Sequence, residues 1–120
     1  MPMDDRVRLQ HLLEAAEAAA RYCDGMTRAQ FDKDDRTQRA VVQCLSVVGE
    51  AAFAMKPSTK DAIAGVPWPN MVGMRRRLIH EYFAINLDVV WETVQRDLSP
   101  LTAAVRNYLE AEPDKSADAD

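Results

Sequence analysis

Apolar residues recur at helical spacing through most of this chain, and that recurrence restricts what it can fold into. Val41, Leu45, Val48 and Ala52 follow a 4-3-4 spacing that lays them along one face of a helix. Val42, Gly49 and Phe53 widen that face. Leu87, Val90, Trp91, Val94, Leu98, Leu101, Val105 and Leu109 form a second stripe, and Val7, Leu9, Leu12, Leu13, Ala16 and Ala20 a third. With only four glycines in 120 residues, a turn-rich β protein is disfavoured. The expected architecture is all-α, a four- to five-helix up-and-down bundle.

The punctuation between stripes sets the boundaries. Asp4 or Asp5 caps a first helix that runs to about Cys23, and Gly25 supplies a left-handed C-terminal turn. Thr27-Arg28-Ala29-Gln30 has capping-box spacing and predicts a short turn before Phe31. Asp34 or Asp35 caps a second long helix to about Met55. Gly49 in its middle costs up to about 1 kcal/mol against alanine, which predicts that another helix approaches closely there. Lys56-Pro57 closes that helix, and Ser58 to Ala64 form a short helical turn. Gly65-Val66-Pro67-Trp68-Pro69 is a rigid connector. A third helix starts near Pro69 or Asn70 and ends between His80 and Ala84. Asn86 or Asp88 begins a fourth, which Ser99-Pro100 kinks or restarts. One domain is expected over residues 1–111, with a disordered acidic tail over 112–120.

Charge narrows the partners. The net charge of −4 places any nucleic-acid site on a local basic patch of an acidic body. Cys23 and Cys44 lack metal-ligand spacing and read as small core residues. No apolar run reaches the roughly 18 residues that span a bilayer, and the N-terminus lacks the apolar segment of a signal peptide. The expectation is a cytoplasmic protein away from membranes, with reduced thiols, no metal and no cofactor.

One segment carries chemistry. Arg75-Arg76-Arg77-Leu78-Ile79-His80-Glu81-Tyr82 packs three cations, an imidazole and a phenol into eight residues. An arginine that holds a phosphate and a histidine that moves a proton are the minimum parts for cutting RNA without a metal. On a regular helix Arg75 and His80 stand about 140° apart, so they do not share a face. Acting on one phosphate requires the helix to end near His80, or a second copy to complete the site. Two copies of His80 across a two-fold axis would supply both the base and the acid. Read alone, three arginines also suit a solvated helix face, and a histidine at a helix C-terminus suits a favourable cation there.

The flanking pattern says more. Pro67-Trp68 precedes the segment, Gly73-Met74 abuts its arginine, and Asn86-Leu87-Asp88 and Val90-Trp91 follow. Gly49-Glu50-Ala51 lies on the second long helix. From Asp35 to Leu101 the chain resembles the HepT-like branch of the HEPN families, whose motif is an arginine, four residues, a histidine, one residue and a tyrosine: here Arg75, His80 and Tyr82. The resemblance implies a helical homodimer, dimerising through the bundle, that acts as a metal-independent endoribonuclease toxin in a type VII-like toxin–antitoxin pair. Arg75 would hold the scissile phosphate and His80 move protons. A nucleotidyltransferase antitoxin of the MntA type would attach AMP to Tyr82 and silence the toxin, in a hetero-oligomer with it. The residue after the motif arginine is commonly asparagine in that branch and is Arg76 here. Arg76 and Glu50, the latter placed to orient Arg75, are the supporting candidates. The alternative is a catalytically silent HEPN module that binds a nucleotidyltransferase partner or a nucleotide.

Other residues take plainer readings. Trp68 and Trp91 suit core or dimer packing better than base stacking. Tyr22 and Tyr108 sit at helix ends, His11 has no partner in view, and Arg28, Arg36 and Arg39 suit a solvated helix surface.

Overall fold

Asp4, through its side chain, accepts the Val7 N–H at 2.9 Å and starts α1, Asp5–Tyr22. Gly25, at φ 75°, makes the left-handed turn that follows. In this computed structural model residues 4–80 and 84–111 are described, the side chain of His80 excepted. Thr27 and Gln30 form the expected capping box, each side chain accepting the other's backbone N–H, and open α2, Arg28–Asp32. Asp34, not Asp35, caps α3, Asp35–Ala54. The Thr37 N–H that bonds to it holds its carboxyl below the usual carboxylate range.

The remaining elements are shorter. Pro57–Asp61 is α4, Trp68–Val72 α5 and Met74–Leu78 α6. Ile79–His80 (β1) and Ala84–Ile85 (β2) pair antiparallel, Ile79 opposite Ile85 and His80 opposite Ala84. Leu87–Glu92 (α7) opens on the Asn86 side-chain cap and runs through a π-helical turn, Thr93–Asp97, into α8, Leu98–Ala111. The helix does not break at Ser99-Pro100. The irregularity lies one turn earlier, where Leu98 N–H bonds to Thr93 O in place of an i−4 carbonyl. Pro100 has no N–H to give to the Arg96 carbonyl, so the regular ladder is interrupted again just after this turn.

The fold is all-α apart from the two-residue ribbon. α1 lies along α3, α8 packs on α1, and α5 and α6 pack on α3. Leu9, Leu12, Ala16 and Ala19 of α1 meet Val41, Leu45, Val48 and Ala52 of α3, with Leu98, Leu101 and Val105 of α8 closing the core. Ala19 rather than Ala20 faces inward. The third helix expected to run from near Pro69 or Asn70 to between His80 and Ala84 is instead two short helices, α5 and α6, followed by β1. Phe31 and Trp91 rings stand 5.2 Å apart. Trp68 is buried, its indole N–H donating to Ile63 O at 3.2 Å, so both tryptophans serve the core. Both thiols are unpaired with a pKa raised by burial, which suits packing rather than reactivity. Among the described residues no helix is long and apolar enough to cross a membrane. The tail, 112–120, lies outside the described residues.

Phe53 departs from expectation most clearly. Its place after Gly49 suggested a wider core face, yet the side chain is 74% exposed. Residues 48 and 52 take the core, and their 4-residue step leaves 53 turned toward the edge of the α3–α6 contact.

Candidate active site

Gly49 is where the site begins. A Cβ there would stand 3.1 Å from Met74 Cβ and 3.2 Å from Met71 O, inside ordinary carbon contact distance. The missing side chain lets α5 and α6 lie directly on α3. Gly73 separates those two helices, and its N–H donates to Pro69 O at 3.0 Å. α6 is therefore a single turn, bound to the middle of α3 by Met74 and Leu78, both fully buried.

The three arginines of α6 then diverge. Arg75 and Arg76 are exposed and line an open cavity of about 990 Å³ with Gly49, Glu50, Phe53, Val72, Gly73 and Ile79. Arg77 is half-buried and does not line it, and its Nη1 has no hydrogen-bond partner among the described residues. Arg75 Nη1 donates to Glu50 Oε1 at 3.1 Å, with the two side chains 73% and 69% exposed. Glu50 thus meets Arg75 across the contact between α3 and α6. A pair so exposed is worth at most about 1 kcal/mol, so an incoming phosphate displaces or shares it at little cost. A guanidinium has five N–H donors in a planar fork, and one bond to Glu50 leaves most of that fork for a bidentate anion.

The backbone changes direction immediately after α6. Ile79 is extended at φ −114°, ψ 122°. The Leu78 carbonyl, which a longer helix would give to residue 82, accepts Asn86 N–H at 2.7 Å instead. The helix therefore ends two residues before His80, and the 140° separation of a regular helix does not apply. His80 takes its place in β1 by its backbone, and its imidazole lies outside the described atoms. Tyr82 also lies outside the described residues.

Arg75, Arg76 and Glu50 are thus brought to one cavity. Phe53, Val72 and Ile79 line it unforeseen, although Phe53 follows Glu50 by three residues and so shares its side of the helix. Among the described residues no cluster of histidine, cysteine, aspartate or glutamate could hold a metal ion. The arrangement can bind an anion through two guanidinium groups beside an apolar wall.

Comparison with known proteins gives the same direction. The model of the family described as "Ribonuclease HepT-like" matches residues 12–108. The chain is 34% identical to "Putative RNase TTE0752" of Caldanaerobacter subterraneus subsp. tengcongensis, over 89% of this chain and 96% of that one. It is 37% identical to "Putative RNase MJ0127" of Methanocaldococcus jannaschii, over 78% of each. It is 33% identical to "Probable ribonuclease HepT" of Thermococcus cleftensis, over 78% of this chain and 84% of that one. No solved structure gives a significant match. The helical core, the arginine turn seated on Gly49 and the extent of these matches together place the chain in the ribonuclease HepT-like family.

Proposed function

We propose that this protein is a metal-independent endoribonuclease acting as a cytoplasmic toxin, with Arg75 and His80 as its catalytic residues. The observation that carries the reading is the Arg75 guanidinium, exposed at an open cavity and tied to Glu50 by a bond that a phosphate can replace. Arginine suits this role because its planar fork matches phosphate and it never deprotonates. His80 removes the proton of the ribose 2′-hydroxyl, whose oxygen then attacks phosphorus. The 5′-oxygen leaves with a proton from an imidazolium, and a 2′,3′-cyclic phosphate remains. A single site histidine per chain supplies both functions if two copies assemble about a two-fold axis, each contributing His80.

Tyr82, two residues from His80, is the proposed site of AMP transfer by a nucleotidyltransferase antitoxin. A bulky anionic adduct there would exclude RNA and repel its phosphates. The second reading, a silent module that binds the nucleotidyltransferase or a nucleotide, draws on Arg76, which adds charge where relatives of this type commonly place an amide. The test is cleavage of a mixed RNA pool in EDTA by unmodified wild type and by His80→Ala. Cutting by wild type alone, leaving cyclic phosphate ends, supports the nuclease. Equal cutting by both removes His80 from the mechanism, and cutting by neither transfers the weight to the silent module.

A further inference from the structure

Phe53 is the most exposed large hydrophobic side chain among the described residues, at 74%, and it lines the cavity that holds Arg75 and Arg76. A lone exposed hydrophobic residue needs no explanation by itself. This one stands three residues after Glu50 on α3, about 4.5 Å further along the axis and on the same side of the helix. Glu50 in turn holds Arg75 at 3.1 Å. The ring and the guanidinium therefore line the same cavity, with the half-buried Val72 and Ile79 supplying more apolar lining.

An aromatic side chain and two guanidinium groups lining one cavity match the two ends of a nucleotide. The base offers a π-face and the phosphate a charge, joined through one sugar. Single-stranded RNA is bound in this way elsewhere, by unstacked bases lying on aromatic side chains beside basic residues. A cavity of about 990 Å³ accommodates a nucleotide. The two arginines select an anion over an apolar segment as the occupant.

We infer that Phe53 is a base-stacking platform, a substrate-positioning residue that holds the nucleobase next to the phosphate gripped by Arg75. The inference rests on the reading above that the cavity takes RNA. It adds that binding depends on a base at that position, whatever its identity, because every base presents a π-face.

The test uses the full chain carrying His80→Ala, so that bound RNA is not cut. Affinity for a fluorescein-labelled single-stranded RNA oligomer is measured by anisotropy, and compared with the same oligomer made abasic. Adding Phe53→Ala should weaken the first by about fivefold to 150-fold, the span that loss of one base–aromatic stack produces. It should leave the abasic oligomer unchanged, and Phe53→Trp should restore the difference. Affinity within about twofold of the parent for both oligomers overturns the platform, as does an equal loss on both. Conversion of a dimer to a monomer by Phe53→Ala in sedimentation also overturns it, since the ring then belongs to a contact between copies. Wild type that cuts no RNA, while binding remains base- and Phe53-dependent, refutes the nuclease and keeps the platform. Wild type that cuts RNA, with affinity indifferent to Phe53, refutes the platform and keeps the nuclease.

Discussion

Replacing Gly49 by alanine sets two opposed effects against each other at the centre of the fold. Alanine is favoured over glycine by up to about 1 kcal/mol in a helix interior. The added methyl, however, would sit 3.1 Å from Met74 Cβ and 3.2 Å from Met71 O, with Arg75 N at 3.8 Å. Neither close atom can swing aside. One is a backbone carbonyl, the other a β-carbon bonded directly to the backbone, and both residues are fully buried. Relief therefore requires α5 and α6 to move off α3 by a few tenths of an ångström. Overpacking of that kind costs about 1–3 kcal/mol. After the helix gain is subtracted, the variant should be destabilised by about 1 kcal/mol. For a domain of this size that lowers Tm by about 4 °C. Circular dichroism melting of wild type and Gly49→Ala measures it. The same shift carries Arg75, so on the role proposed for it RNA cleavage at a temperature where both proteins are folded should fall further than stability does, because small misplacements of a substrate-holding group are amplified in rate. A Tm that rises by several degrees with cleavage unchanged would refute the reasoning, for it would mean the helix pair yields freely and the glycine serves no close approach.

Asp5 joins the start of α1 to α4, accepting Lys56 N–H at 3.0 Å, the Thr59 hydroxyl and Arg8 Nη1 at 2.8 Å. Partial burial pushes its pKa up, but these hydrogen bonds outweigh it and hold the carboxyl below its usual value. A lowered folded-state pKa stabilises above the unfolded value of about 4 and ceases to do so as pH falls through the folded value. Asp5→Ala should therefore cost about 2 kcal/mol near pH 7, with the gap from wild type narrowing below about pH 4 in urea melts. A gap that stays constant down to pH 2 would remove the carboxylate from the account. At Tyr82, co-production with a cognate nucleotidyltransferase should add mass in AMP units, and Tyr82→Phe should abolish the gain. An adduct mapped to another residue would sink the regulatory proposal.

The long helices were legible because their burial repeats with the helical period and their ends carry local signals. Asp4, Thr27, Asp34 and Asn86 each cap a helix through a bond to a residue three positions on, so the signal and the structure occupy the same few residues. The end of the motif helix was not legible to that accuracy. It depends on Asn86 N–H capturing the Leu78 carbonyl and on pairing of Ile79 with Ile85, which join segments six to eight residues apart. The exposure of Phe53 escaped for a related reason. An aromatic residue beside an apolar stripe has the signature of a core residue, and only the position of α6 decides otherwise.

By itself the sequence determined the all-α class, the apolar stripes of α1, α3 and α8 apart from Ala19 and Phe53, and the glycine at which a helix must approach. Those follow from spacing along one chain segment, where 3.6 residues per turn convert order into geometry. The tertiary structure decided which cations share a cavity: Arg75 and Arg76 line it and Arg77 does not, Glu50 meets Arg75 across 25 positions, and Phe53 stands open at its edge. Those relations depend on how α6 is seated on α3, a packing between segments that no local period encodes.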